Sequence, residues 1–343
     1  MKHFNWNMFL FFLLTCTALR AFNAQAKVVT VFDECKERFY NNMEPKGMDQ
    51  NAVKICQKME NKPDVFFATL YSTHHKIPLY SAYTFDPQCS QKDGTAKRCN
   101  QWHIEPQLTI SEPNNNHMVR ESKAEKFVNK YKGSQALSAD YEHTGYDRGH
   151  LNPNGLQCGD ARLATFTLTN AAPMDACFNR IQWRIWEGYL QSFLKTKSYK
   201  DATAYIITGT VPGKEKIPQE DDCDKSRESG RVTVPSHIWT AVCYKHQDNT
   251  KSFSFGYLGE NKPEFNIQIM SVSDMNQQLS DLYSKSSKTS VNIFDGNCFN
   301  DNPSSKAAEQ SFVDLIKLPE YRITRKRARS DSDTSSVKKP KSG

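Results

Sequence analysis

Gly145-Tyr146-Asp147-Arg148-Gly149-His150-Leu151-Asn152-Pro153 is the stretch on which the reading of this chain turns. His150 follows a glycine and Pro153 comes soon after, so the segment reads as an irregular strand running into a loop, where side chains project into a cleft. A histidine in that position is suited to take a proton from an attacking water, because an unperturbed imidazole titrates near about 6.5. Activity depending on such a base is expected to rise between about pH 5 and 8. Asp147 is expected to anchor the loop, and Arg148 to serve the loop or a phosphate.

Downstream lie Asn170 and then Phe178-Asn179, Trp183 and Glu187. Phe178, Ile181, Ile185 and Tyr189 recur at three and four residues, which predicts an amphipathic helix over 178–195. On an α-helix Asn179, Trp183 and Glu187, four residues apart, share a broad face and line one wall of a site. The rise from Asn179 to Glu187 is roughly 12 Å at 1.5 Å per residue, too long for both to reach one ion directly. The division this predicts is Asn179 as the direct ligand through its amide oxygen, with Glu187 acting through water. So few protein oxygens suit Mg²⁺, or Mn²⁺ in its place, whereas Zn²⁺ prefers nitrogen and sulfur. A base, a hard cation and arginine are together the means to hydrolyse a phosphodiester.

Residues 1–26 have a basic start, an apolar stretch from Met8 and the ending Ala24-Gln25-Ala26, the three-part layout of a secretory signal cleaved before Lys27. The apolar core is shorter than the ~20 residues of a membrane span, and secretion is the expected location. Nine cysteines remain after cleavage; in an oxidising compartment they read as four disulfides and one free thiol, with the pairing open. There is no Asn-x-Ser/Thr acceptor with a permitted middle residue, so N-glycosylation is not expected.

The formal charge of +7 is unevenly placed: the signal carries two of these charges and the tail from Arg322 a net +6, which leaves the body near −1. Net charge therefore gives no argument that the folded part binds nucleic acid. Basic groups would have to gather at the site, and Arg98, Arg148, Arg162, Arg180 and Arg184 are the candidates. Arg162 fits a solvated, salt-bridged face better.

The mature chain carries no Pro/Ser/Gly-rich linker and no repeat, so one domain over 27–321 is expected. Residues 64–71 and 77–85, rich in aromatic and β-branched side chains, predict a β-hairpin. Residues 204–210, 237–244 and 252–258 are further strands, and 273–283 and 304–318 later helices, the first with Ser273 as its cap. The fold class is α+β, with an antiparallel or mixed sheet. The tail, 322–343, is low in apolar residues with two basic clusters and is expected to be disordered.

The set Tyr146-Asp147-Arg148-Gly149-His150, Thr169-Asn170-Ala171-Ala172-Pro173 and Phe178-Asn179-x3-Trp183-x3-Glu187 resembles the DNA/RNA non-specific endonucleases with a ββα-metal site. The signal, the cysteines and Arg98-Cys99-Asn100-Gln101-Trp102 bring it near the secreted endonuclease domain-containing 1 proteins. The resemblance covers about residues 64–257 and rests most on Asp-Arg-Gly-His. It implies a ββα-metal (His-Me finger) fold and a metal-dependent endonuclease acting on DNA and RNA, with His150 as general base and Asn179 as the single direct Mg²⁺ ligand. It implies Glu187 as water-mediated support, Asn170 as a site-shaping residue and Arg98 as the upstream transition-state arginine, at a looser spacing. Asp147 and Trp183 fall to substrate binding or site shaping. After Pro173, where many members carry Gln, this chain has Met174, which removes a polar group near the site. The rival reading is a nuclease-fold protein that binds polyanions or a partner through its surface or its tail; another is an enzyme of small phosphodiesters.

Overall fold

The computed structural model describes residues 28–48, 51–87, 101–109, 116–197, 201–220, 228–263, 267–283, 290–300 and 302–317. The expected signal, the tail 322–343, Arg98 and Cys89, Cys99 and Cys223 lie outside them.

In chain order the strands are β1 (Val28–Val29), β2 (Val53–Lys58), β3 (Val65–Ser72), β4 (Ile77–Thr84), β5 (His103–Ile104), β6 (Val119–Arg120), β7 (Tyr146–His150), β8 (Ala171–Asp175), β9 (Ala202–Ile217), β10 (Val232–His246), β11 (Phe253–Glu260) and β12 (Ile267–Met270). Eight of them form one sheet in the order β1-β2-β3-β4-β9-β10-β11-β12. Every pairing in it is antiparallel. The expected hairpin is β3–β4, with Ala68 opposite Ala82 and Leu70 opposite Tyr80. Besides a single helical turn at Val128–Tyr131, the helices are α1 (Ser138–Tyr141), α2 (Gly159–Ala164), α3 (Arg184–Thr196, continuing a π-helical stretch Phe178–Trp183), α4 (Val272–Tyr283) and α5 (Pro303–Lys317).

Successive strand residues point to opposite faces, and here both faces are buried. Tyr83, Ile206, Val242, Phe255 and Tyr257 go to one core, with Trp183, Trp186 and Leu190 and with Phe312 of α5. Their neighbours Ala82, Ile207, Ala241, Cys243 and Leu258 go to a second core, with Phe32 and Phe39 and with Met275 and Leu279 of α4. Cys35–Cys56 and Cys243–Cys298 are disulfides within this second core. Cys158 is also disulfide-bonded, and Cys177 is present as a thiol.

Strands β9 and β10 run further than the sequence predicts. Pro212 and Pro235 stand opposite each other at a register irregularity, where a residue lacking an N–H costs the ladder least. The cap of α4 is Ser271 rather than Ser273: its Oγ accepts from the Asp274 N–H at 3.1 Å and donates to Asp274 Oδ2 at 2.7 Å. The helix starts one residue earlier than expected, so the capping hydroxyl moves with it. Among the described residues no helix is long and apolar enough to cross a membrane.

Candidate active site

The decisive stretch forms β7, which pairs with β8 in a two-stranded antiparallel ribbon: Tyr146 opposite Asp175, Asp147 opposite Met174, Arg148 opposite Pro173, Gly149 opposite Ala172, His150 opposite Ala171. Gly149 permits this pairing to be close. A Cβ built there would stand 2.2 Å from Met174 Sδ and 2.9 Å from Met174 Cβ. Asn261 fastens the ribbon to the sheet, accepting from the Asp175 N–H at 2.8 Å and donating to the Pro173 and Pro235 carbonyls at 2.9 Å each. At the end of β8 the Asp175 carboxylate accepts from the Phe178 N–H at 2.9 Å and caps the helix that follows. The two strands are joined by residues 151–170, which include α2, while β8 passes directly into the helix.

Beyond His150 the chain is held by Asn170. Its Oδ1 accepts from the Asn152 N–H at 2.9 Å and from Ser81 Oγ at 2.8 Å, and its Nδ2 donates to the Asn152 and Thr165 carbonyls at 3.0 and 2.9 Å. Ser81 and Thr69 hydroxyls are 3.2 Å apart and Gln57 Nε2 donates to Thr69 at 3.2 Å, so a buried hydrogen-bonded row connects the loop to the sheet. Asn170 is fully buried beneath the loop that follows His150.

A cavity of about 640 Å³ opens over the ribbon, and His150, Asn179, Glu187, Asp147, Arg148, Arg180 and Arg184 line it together. The half-buried His150 ring packs on Trp102, with centroids 5.0 Å apart, and edge-on to Phe166 at 4.8 Å. Asp147 engages both oxygens: Oδ2 accepts from Asn179 Nδ2 at 3.0 Å and Arg180 Nε at 2.9 Å, Oδ1 from an Arg180 terminal nitrogen at 2.7 Å. Its anchoring is across to the helix, and it fixes how the Asn179 amide is turned. Arg148 donates to Ser138 Oγ at 2.8 Å and stacks over Trp102 at 4.9 Å.

Burial raises the Glu187 carboxyl to about 8, with Arg184 acting in the opposite direction. A desolvated carboxyl lining the same cavity as an oriented amide suits a hard divalent cation, which stabilises the ionised form. Among the described residues no three His, Cys, Asp or Glu side chains gather to hold an ion. The donors at hand, one amide oxygen and one carboxyl, fit an ion that retains most of its water.

Two expectations are corrected. Trp183 does not line the cavity; it is 1% exposed, stacked on Phe178 at 5.4 Å and packed on Tyr257 at 5.2 Å. The wider π-helical turn between Phe178 and Trp183 changes the angle between four-residue neighbours, so the shared α-helical face fails there. Met174 is buried against Gly149 rather than in the cavity wall, so its apolar side chain serves packing. Arg162, which the sequence already sets apart from the other arginines, is not among the residues around the cavity. Sequence reasoning missed Ser138, Tyr141 and Phe166 in the cavity wall, and Glu121 behind it, whose Oε1 accepts from the Ser138 N–H at 2.8 Å. No local pattern marks them, because the fold brings them from separate segments.

Comparison with known proteins finds nucleases among the relatives of this chain. Endonuclease domain-containing 1 protein of Homo sapiens is 36% identical over 215 residues, 62% of this chain and 39% of that protein. The Mus musculus protein of that name is 31% identical over 214 residues, with the same coverage of each. Nuclease C1 of Cunninghamella echinulata var. echinulata is 31% identical over 123 residues, 34% of this chain and 46% of its own length. This chain therefore spans less than half the length of these relatives. The profile described as DNA/RNA non-specific endonuclease matches residues 49–292, which take in most of the sheet, the β7–β8 ribbon and α3, and the chain belongs to that family.

Proposed function

We propose that this chain is a secreted, metal-dependent endonuclease that hydrolyses DNA and RNA phosphodiesters with little sequence preference. The observation that carries the reading is the meeting of His150, Asn179 and Glu187 around one cavity with three arginines. His150 takes the proton from the attacking water as general base. Asn179 holds the cation directly, and Glu187 supports it at longer reach. When bound, a divalent cation, expected to be Mg²⁺ with Mn²⁺ as a substitute, supplies Lewis-acid stabilisation of charge on the phosphate and the departing 3′ oxygen. Arg148 and Arg184 add positive charge to that side of the cavity, and Arg98 is assigned the same task from the segment upstream of Trp102. Asp147 orients Asn179, and Asn170 holds the loop behind the base. Contacts of this kind read phosphate rather than base edges, which accounts for the lack of sequence preference.

Secretion is supported by the three-part leader and by disulfides, which persist in oxidising compartments. The mature domain is assigned to 27–321, followed by the basic tail.

The test is incubation of the mature protein with supercoiled plasmid and with RNA in Mg²⁺, in parallel with EDTA and with His150→Ala. Nicked and linear products are expected, abolished by EDTA and reduced by several orders of magnitude in a folded His150→Ala. Intact plasmid with folded wild type refutes the enzyme and leaves the polyanion-binding reading, seen as salt-sensitive binding lost with residues 322–343.

A further inference from the structure

An imidazole acts as a base only when its ring is held in the plane that aims a nitrogen at the water, yet the outer torsion of a histidine side chain is broad. Around His150 that freedom meets two aromatic walls. Trp102 and Phe166 lie 5.0 and 4.8 Å from its ring and 5.6 Å from each other, and they are 9% and 3% exposed. The tilts, 38° to Trp102 and 84° to Phe166, define a corner that admits the imidazole in one plane.

The corner is itself braced. The His103 N–H, next in chain to Trp102, donates to the Phe166 carbonyl at 2.9 Å. The Glu121 N–H donates to the Trp102 carbonyl at 2.9 Å. Arg148 lies over the indole at 4.9 Å, a cation–π contact, and is held by Ser138, whose hydroxyl donates in turn to Glu121. Glu121 thus fixes Trp102 through its backbone and, through Ser138 and Arg148, across the ring.

We propose that Trp102 is a positioning residue that, with Phe166 and under the Arg148–Ser138–Glu121 brace, sets the plane of the His150 imidazole for proton abstraction. This rests on the nuclease reading for its kinetic consequence; the ring geometry does not.

The test has two arms on the full mature chain. In plasmid cleavage, Trp102→Leu is expected to lower kcat about 10- to 100-fold, as misplacement of a catalytic group does, with KM changed less than about twofold. The same substitution in a His150→Ala background is expected to leave the residual rate within about twofold, because Trp102 acts through His150. Trp102→Phe, which restores a ring, is expected to recover most of kcat. A loss confined to KM, or an equal loss in both backgrounds, overturns the proposal. In the second arm the His150 ring resonance, assigned by its disappearance in His150→Ala, is expected to be ring-current shifted in wild type and Trp102→Phe and to move toward the free-imidazole position in Trp102→Leu. An unmoved resonance also overturns it. Phe166→Leu, thinning the other wall, gives the same pattern and keeps the test decisive if Trp102→Leu does not fold. If wild type leaves plasmid intact, the nuclease reading falls by itself, and the resonance alone decides whether Trp102 orients the ring.

Discussion

Glu105 is buried close in sequence to Trp102, and its Oε1 has no hydrogen-bond partner among the described residues. Its backbone is served: its N–H donates to Gln135 Oε1, and Gln135 Nε2 returns to its carbonyl, each at 2.8 Å. Desolvation raises the carboxyl to about 8. In the unfolded chain a glutamate titrates near about 4.3. Below that value both states are protonated and the group contributes no pH dependence. From there to about 8 the unfolded state loses its proton first, so stability falls as pH rises, by up to about 1.4 kcal/mol per pH unit, and levels off above. Glu105→Gln is therefore expected to melt higher than wild type at pH 8 and alongside it near pH 4; parallel melting curves across that range would refute the assignment. Asp147 illustrates what was legible at this scale: its place in Asp-Arg-Gly-His marks it as an anchor, while its partners Asn179 and Arg180 are more than thirty residues away and only the fold names them. Trp183 illustrates the opposite case. Its spacing fits a functional face, but a large indole is more strongly drawn into an apolar core.

At the scale of elements, the ribbon is set by the fit of Gly149 to Met174. Gly149→Ala would drive a methyl into the thioether and spread β7 from β8, and overpacking of this kind costs about 1–3 kcal/mol. The variant is expected to melt lower and cleave more slowly through displaced His150. Adding Met174→Ala should recover part of both losses, while no recovery in the double variant would show that the clash is not the cause. The hairpin, the strands and the helices were legible because aromatic and β-branched runs and three- or four-residue periodicity are local signals. The π-helical stretch at Asn179 was not, since one wide turn leaves the apolar period of a helix nearly unchanged. Strand lengths were cut short at Pro212 and Pro235, whose mutual placement across the ladder depends on tertiary pairing.

At the scale of the whole molecule, one sheet separates two cores of different purpose. The core containing Trp102, Phe166 and Trp183 supports the cavity, and the other holds the Cys35–Cys56 and Cys243–Cys298 bridges. Cys35–Cys56 closes a loop of 21 residues, for which chain entropy gives a stabilisation of about 3 kcal/mol. Cys35→Ser/Cys56→Ser is expected to lower stability by about that amount in denaturant titration, yet to cleave at the wild-type rate well below its melting point. A proportionate loss of rate would show that the two cores are coupled. The sequence composition announced cysteine bridges but not their pairing, because connectivity is a property of the closed fold.

The groups assigned to the chemistry stand on β7 and the helix after β8, outside the eight-stranded sheet, while Phe178, Trp183 and Trp186 of that same helix join the core beneath the cavity. Replacing a side chain that faces the cavity, such as His150, is therefore expected to spare the fold, whereas replacing Gly149 or Trp183 is not. A descendant gene that replaces His150 would still encode a protein that folds and presents the same arginine-lined hollow. Duplicated copies of such a gene would have a short path to a second career as silent binders, and a single base change would be enough to start it.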